Sequence, residues 1–171
     1  MVRPEFGDPI ELDHHSDESG QLTVCDPLKL LGMETKRIYF LHNLREGARR
    51  GGHAHLELHQ LIVSVSGSFE LHLTRGGQTK SLRVDNPNVA FYVPPLTWRE
   101  LDNFSADAIC LVIASEHFLE SDYIRDKSVF EKFAVEIFDR KTFQSLDVNA
   151  TIYALGNLSG LFFTASLMRL V

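Results

Sequence analysis

The chain has 171 residues, 44% of them hydrophobic and 23% charged, which is the composition of one globular domain with a proper core. A net charge of −6 without a basic run argues against a nucleic-acid partner, because no cluster could neutralise a phosphate backbone. The two cysteines lie far apart, so we expect reduced thiols in a cytoplasmic protein. We also expect no signal peptide, since no basic stretch followed by an apolar run opens the sequence.

The first 20 residues form an acidic, turn-rich segment. His14 and His15 invite a metal-binding interpretation, but as neighbours they would face opposite ways on a strand. We therefore expect them in a solvated turn. Residues 26–33, after the first predicted strand, should form a helical turn or a loop.

Most of the remaining sequence predicts short β-strands. β-branched and aromatic residues alternate with polar ones, and Gly, Pro, Asn and Asp punctuate them at roughly ten-residue spacing. Seven or eight such strands indicate a sandwich or a barrel, and therefore an all-β fold. The predicted strands cover residues 21–25, 37–44, 60–66, 69–73, 81–84, 89–93, 101–104 and 108–114.

The pattern changes after residue 116. Ser128 and Glu131 have the spacing of a capping box and predict a short helix after the barrel. Residues 151–168 carry no charge and are long enough to span a membrane, but Gly, Asn, Ser and Thr dilute their hydrophobicity. We expect this stretch to pack on the barrel or on a partner subunit, with a membrane helix as the alternative. The predicted parts are the N-terminal segment 1–20, a barrel domain 21–133 and a C-terminal extension 134–171.

A His-x-His segment is the best candidate for a site. If it is extended, His53 and His55 point the same way, because side chains repeat every second residue on a strand. Arg50 adds a positive charge, and the two glycines that follow it permit a tight turn. Two imidazoles in a barrel mouth suit proton transfer, since their ordinary pKa lies near 6.5. The alternative is that both merely line a turn.

A metal site is the competing hypothesis, because metal-binding cupins place a carboxylate and a third histidine after such a pair. Here Gln60 stands at the carboxylate position and Trp98 at that of the later histidine. Two histidines and an amide are a poor ligand set for a divalent ion. We therefore expect no metal ion and no other cofactor.

Other polar and aromatic residues near the segment are further candidates. Tyr39 could reach the same cavity from the preceding strand, or it could be a core aromatic. Trp98 follows two prolines at the rim, where it could stack on a base or sugar, or plug the barrel. We expect His59 and His72 to be structural or exposed, and His42 could serve either purpose.

Several separate segments carry a resemblance to a known family. Residues 50–55 with Gln60, residues 103–105 and residues 120–126 resemble the sugar 3,4-ketoisomerases, the WxcM-like group of cupins that act on dTDP-4-keto-6-deoxyglucose. Residues 20–24 and 36–39 are similar to the opening strands of that family. The resemblance covers residues 20 to 133, and its motifs fall in the right order and spacing.

The resemblance implies a cupin-type jelly-roll β-barrel and a metal-free homodimer, often with exchanged N-terminal strands. The helix predicted after the barrel from the capping box adds a short C-terminal helical extension. It also implies catalysis by His53 with help from His55, Tyr39 and Arg50. The proton at C3 would be removed, an enediol would form, and a 3-keto sugar for surface-glycan synthesis would result. Alternatives are a sugar-nucleotide epimerase of the same fold and a non-catalytic cupin that binds a sugar nucleotide. The candidate substrate-binding residues are Gln60, Arg37, Arg45, Arg99 and Trp98, the arginines being candidates for the diphosphate.

Overall fold

Short strands dominate the structure, a computed structural model that describes residues 4–140, with side chains up to residue 134. Helix α1 spans Pro27–Leu31, helix α2 spans Lys127–Arg140, and a 3-10 turn spans Glu120–Asp122. The strands are β1 (Pro9–Glu11), β2 (Asp13–Asp17), β3 (Gly20–Val24), β4 (Arg37–Leu41), β5 (Arg50–His55), β6 (Gln60–Ser66), β7 (Phe69–Arg75), β8 (Gln78–Val84), β9 (Val89–Val93), β10 (Trp98–Asp102), β11 (Ile109–Ala114) and β12 (Tyr123–Ile124).

Two antiparallel sheets of five strands each form the barrel. One has the order β1-β9-β6-β11-β4 and the other β12-β5-β10-β7-β8, while β2 and β3 pair in a separate hairpin. The prediction of an all-β, jelly-roll fold is confirmed. Neighbours in these sheets are mostly distant in sequence, so the barrel brings together residues that no local pattern connects.

The core between the sheets follows from the period-two pattern of the strands. On β7, Phe69, Leu71 and Leu73 are fully buried, while Glu70 and His72 between them are partly exposed. Full burial of each such apolar side chain contributes roughly 1.5–3 kcal/mol. The buried core residues are Phe6, Ile62, Phe69, Leu71, Leu73, Val84, Val93, Leu101, Cys110 and Val112.

The N-terminal segment contains more strand than predicted. Residues 9–11 pair with β9, and His14 and His15 lie in β2 of the hairpin. The solvated turn predicted for these two histidines is therefore wrong, although both side chains are exposed as expected. Strand β2 was not predicted because neither of its faces is buried. The alternation of apolar and polar residues that identifies a strand is therefore missing from its sequence.

Two strands begin earlier than predicted, and one of them, β8, starts at Gln78 rather than at residue 81. Strand β10 begins at Trp98, three residues before the predicted start at residue 101. Its alternation places Arg99 beside Leu73 on the inner face, where a hydrophobic residue would be expected. A charge at an inward position breaks the period-two pattern of apolar residues. The first part of β10, which lies nearest the site, was therefore not predicted as strand.

The helix after the barrel differs from its prediction in cap and length. Asp126 accepts hydrogen bonds from the backbone N–H groups of Ser128 and Val129, so it acts in place of the predicted Ser128 cap. Phe130 of α2 packs on Trp98, with ring centroids 5.5 Å apart, on the outer face of the second sheet. The helix continues to Arg140, past residue 133. Within residues 4–140, no helix is long and apolar enough to cross a membrane; the uncharged stretch 151–168 lies outside the described residues.

Candidate active site

Strand β5 carries the histidine pair into the barrel. His53 is partly buried and His55 almost fully buried, whereas Ala54 between them faces α2. The two rings meet edge to face with centroids 5.1 Å apart, so the common orientation predicted from their spacing is confirmed. Gly51 has φ of 82° and lies so close to β10 that an added Cβ would sit 2.5 Å from the carbonyl oxygen of Arg99. A glycine is needed there for β5 to approach β10.

Arg99 of β10 joins the two imidazoles. Its Nη2 atom lies 2.6 Å from Nε2 of His53 and 3.0 Å from Nε2 of His55. A guanidinium only donates, so both Nε2 atoms accept, and each ring carries its proton on Nδ1. Arg99 is 4% exposed, and the ion pairs found among the described residues do not include it. The site therefore contains a buried positive charge that an anionic group of a ligand could neutralise.

The other nitrogen of each imidazole is fixed by an acceptor. Nδ1 of His53 donates to the carbonyl oxygen of Gly51 at 3.0 Å, and Nδ1 of His55 donates to Oδ2 of Asp122 at 2.8 Å. The Oδ1 atom of Asp122 accepts the backbone N–H of Glu57 at 2.8 Å. Both rings are thus held in one tautomer with their lone pairs directed at Arg99.

Aromatic and charged residues of the 120–126 segment close one side of the pair. The ring centroid of Tyr123 lies 4.8 Å from that of His53 and 4.2 Å from that of His55. The guanidinium of Arg125 lies 4.3 Å from the Tyr123 ring and pairs with both carboxylate oxygens of Glu120 at 2.7 and 2.9 Å. The cation–π contact of Arg125 with Tyr123 and its bidentate pair with Glu120 favour a fixed position of the Tyr123 ring.

Tyr39 and Gln60 face the same interior. Nε2 of Gln60 donates to the Tyr39 hydroxyl at 2.8 Å, and Tyr39 is also close enough to interact with Arg99. Oε1 of Gln60 is buried and has no hydrogen-bond partner among the described residues. The hydroxyl of Tyr39 therefore accepts from the protein and retains its own proton for a ligand.

Burial and the guanidinium set the protonation of these groups. Burial, followed by the charge of Arg99, lowers the pKa of His53 to about 3. Burial also lowers the pKa of His55, although its hydrogen bond to Asp122 acts in the opposite direction. The pKa of Tyr39 is raised by burial, so its hydroxyl stays protonated. Near neutral pH the site offers two neutral imidazoles, a neutral phenol and one cation.

The predicted substrate-binding residues fall into separate places. Arg37 is partly buried, with its guanidinium 5.1 Å from the Tyr39 ring and 5.7 Å from the Phe118 ring. Its Nε atom is buried, and no hydrogen-bond partner for it lies in the part of the chain that the structure describes. Arg45 is exposed in the loop before β5, and Arg50 is exposed at the first position of β5. The buried cation beside the imidazoles is Arg99, which had been a candidate for the diphosphate.

Trp98 does not line the site. It alternates with Arg99 on β10, and it packs outside the barrel against Phe130, Ala54 and Ile124 with 4% of its surface exposed. The prediction that its ring stacks on a base or sugar is therefore wrong. The alternative of a plug at the open end is also inaccurate, because the ring anchors α2 to the outer face of the sheet.

The remaining histidines lie away from the pair. His59 stacks on Tyr92 with a ring nitrogen 2.6 Å from its hydroxyl, and His72 hydrogen-bonds to Ser81 and Asp102 on the outer sheet face. Both positions agree with the structural or exposed roles predicted for them. His42 is exposed beside Phe40.

The site does not fit a metal ion. In the described part of the chain, no group of three or more His, Cys, Asp or Glu side chains is placed to hold one. The lone pairs that would bind a metal are those of His53 and His55, and both accept from a guanidinium cation. A divalent ion there would face a buried positive charge.

Sequence reasoning missed the roles of Arg99 and Asp122 at the histidine pair. Arg99 is 46 residues from His53, and Asp122 is 67 residues from His55, so no local spacing links them. The segment 120–126 had been noted only for its resemblance to the ketoisomerases. Its carboxylate among aromatic residues was the available signal. Together the groups can take a proton from carbon, stabilise an adjacent oxyanion and donate a proton to oxygen.

Comparisons with known proteins agree with this chemistry. The family model described as FdtA: WxcM-like, C-terminal, matches residues 8–135. A TDP-4-oxo-6-deoxy-alpha-D-glucose-3,4-oxoisomerase from Aneurinibacillus thermoaerophilus is 34% identical over 121 residues, covering 71% of this chain and 87% of that protein.

Solved structures of 3,4-ketoisomerases are also similar to this chain. The sugar 3,4-ketoisomerase QdtA from Thermoanaerobacterium thermosaccharolyticum, in complex with TDP, has a TM-score of 0.74 and 30% identity over 77% of this chain and 96% of its own. A 3,4-ketoisomerase from Helicobacter canadensis has a TM-score of 0.71 and 35% identity over 74% and 96%. A histidine-to-asparagine variant of QdtA, at TM-score 0.74 and 30% identity over 77% and 95%, is in complex with TDP-4-keto-6-deoxyglucose.

Proposed function

The chain belongs to the FdtA family of WxcM-like C-terminal domains, and we propose that it is a sugar-nucleotide 3,4-ketoisomerase that converts dTDP-4-keto-6-deoxyglucose to the 3-keto isomer. The observation that carries the proposal is the convergence of two neutral imidazole lone pairs on a buried arginine. An enediolate is the anion that this arrangement suits, because it forms next to the carbon that loses its proton.

His53 is the base in this proposal. Its Nε2 lone pair takes the proton from C3, the electrons of that bond form the C3–C4 double bond, and the C4 carbonyl electrons move to O4. Substrate binding draws Nη2 of Arg99 from the lone pair of His53 to the substrate oxygen. The guanidinium, which is 4% exposed, then stabilises the charge on O4, and its burial strengthens this interaction. Arg99 therefore takes the assisting role of the cation, which the resemblance had implied for Arg50, an exposed residue at the start of β5.

The second half of the reaction returns the protons. Tyr39 protonates O4 to give the enediol, which then loses its O3 proton to the phenolate as the C3 carbonyl forms. C4 takes a proton from the imidazolium of His53, so the enzyme ends in its starting state and the sugar is an isomer of the substrate. Tyr39 suits this step because it stays protonated and receives a hydrogen bond from Gln60. His55 assists by holding Arg99 in place.

In this proposal the nucleotide diphosphate is bound by arginines other than Arg99. QdtA binds TDP, and Arg37 beside Phe118 offers a partly buried guanidinium with an unpartnered Nε for a phosphate oxygen. Arg45 is exposed in the loop before β5 and is the second candidate cation. Gln60 supplies an unpartnered carbonyl oxygen that can accept from a sugar hydroxyl.

We propose a cytoplasmic homodimer whose product supplies a carbonyl for amination in surface-glycan synthesis. Both cysteines are unpaired thiols, which fits a reducing compartment. Large apolar side chains are exposed on β3, α1 and β4, and a second subunit would cover them. They are Leu22, Val24, Leu28, Ile38 and Phe40.

Incubation with dTDP-4-keto-6-deoxyglucose in deuterated water tests the activity. We expect a 3-keto product with deuterium at C4, because an imidazolium at the barrel mouth exchanges with solvent before it returns the proton. An epimerase would leave the carbonyl at C4, and a silent binding protein would leave the sugar unchanged. NMR of the sugar separates these outcomes, and absence of both exchange and 3-keto product would refute the isomerase assignment.

We expect activity to survive prolonged treatment with a chelator. The lone pairs of His53 and His55 face Arg99, and Gln60 replaces a carboxylate ligand, so the reaction has no place for a metal ion. The measurement is the metal content of the purified protein beside its turnover before and after chelation. One tightly held ion per chain, with turnover lost on its removal and restored on its return, would contradict the expectation.

A further inference from the structure

We infer that Asp122 is a positioning residue for the isomerisation, which acts by fixing the tautomer and orientation of His55 and, through it, the guanidinium of Arg99. The inference rests on the proposed ketoisomerase function. It assigns a task to the 120–126 segment beyond closing the site.

The contacts of Asp122 are those of an anchored acceptor. Oδ2 accepts from Nδ1 of His55 at 2.8 Å, and Oδ1 accepts from the backbone N–H of Glu57 at 2.8 Å. The backbone carbonyl of Asp122 accepts the N–H of Leu56 at 2.9 Å, and the next residue, Tyr123, pairs with His55 in the β12–β5 ladder. Three consecutive positions of the chain, residues 55–57, are therefore held by Asp122 and its neighbour Tyr123.

The arrangement has a chemical consequence at the far side of the ring. While Nδ1 donates to the carboxylate, Nε2 of His55 carries a lone pair and accepts from Arg99 at 3.0 Å. If the proton moved to Nε2, two donors would face each other across that distance. Arg99 would then lose one of its two imidazole acceptors. The Nη2 proton that now points at His55 would have no acceptor there, and the guanidinium would be held by His53 alone.

Asp122→Asn reverses this polarity with little change of shape. The amide oxygen can keep the contact to the Glu57 N–H, while the NH₂ group replaces the acceptor at Nδ1 of His55. We expect the ring proton of His55 to move to Nε2, which nitrogen chemical shifts of the imidazole report in the resting protein. We expect kcat to fall by about 10- to 10²-fold while KM stays within about threefold, because nucleotide binding is untouched.

The chain offers a matched control in a second His–Asp pair. Asp102 accepts from Nε2 of His72 at 3.0 Å on the outer sheet face, so Asp102→Asn removes a similar contact away from the imidazole pair. It should leave kcat and the His55 tautomer unchanged. Asp122→Glu, which retains an acceptor, should keep the proton on Nδ1 and more of the activity than Asp122→Asn.

Three outcomes would overturn the inference. These are an unchanged His55 tautomer in Asp122→Asn, a kcat within about threefold of wild type, or equal losses in the Asn and Glu variants, which would indicate a purely structural role. The tautomer is measured without substrate. An inactive wild-type protein would therefore refute the proposed function, while the shift of the ring proton would still decide whether Asp122 positions His55.

Discussion

His53→Asn is expected to lower turnover of dTDP-4-keto-6-deoxyglucose by about 10²–10⁴-fold, the usual cost of losing a positioned acid or base. The amide of asparagine can keep the hydrogen bond to the Gly51 carbonyl, so the shape of the site should persist. Binding of dTDP, measured by calorimetry, should be unchanged, because the proposed diphosphate contacts at Arg37 and Arg45 do not involve His53. The neutral state of His53, whose pKa is lowered to about 3, is the state that accepts the proton.

Two further variants should lower turnover by smaller factors than His53→Asn does. His55→Asn should cost less than His53→Asn, because His55 supports Arg99 rather than taking the proton. Tyr39→Phe should fall between the two, since it removes the hydroxyl that relays a proton to O4. Near wild-type turnover in His53→Asn would show that the base is misassigned. Loss of dTDP binding in the same variant would show that the residue holds structure instead.

Arg99→Met should lower kcat by about 10²–10³-fold, because it removes the group that stabilises the enediolate in a low-dielectric site. The fold should survive, since an apolar side chain of similar length replaces a buried charge that pairs with no carboxylate within the described residues. The pKa of His53 should rise from about 3, because the charge of Arg99 is one of the causes that lower it. Burial remains, so this pKa should stay below its usual range.

Turnover measures the loss of kcat, dTDP binding tests whether the fold survives, and an NMR titration of His53 measures its pKa. Arg83→Met is the control, because Arg83 is an exposed arginine paired with Glu70 and Asp85 away from the histidines. It should change neither kcat nor the pKa of His53. If Arg99→Met instead lost dTDP binding and kept its kcat at saturating substrate, the original prediction that Arg99 binds the diphosphate would be right.

Much of this site could be anticipated from local patterns. The period-two alternation identified β6 and β9 to the residue, because side-chain direction along a strand depends only on neighbours in sequence. The same rule placed His53 and His55 on one face. It failed for β2, whose two faces are both exposed, and for the start of β10, where an inward arginine interrupts the apolar pattern.

The sequence by itself thus indicated most of the barrel strands, the histidine pair and, through the resemblance of separate motifs, the family. The tertiary structure alone decided which cation and which carboxylate act on that pair. Pairing of β5 with β10 brings Arg99 to the imidazoles, and pairing of β5 with β12 brings Asp122 to His55. Strand pairing joins distant segments, and a shift of one residue in register would turn each of these side chains to the opposite face.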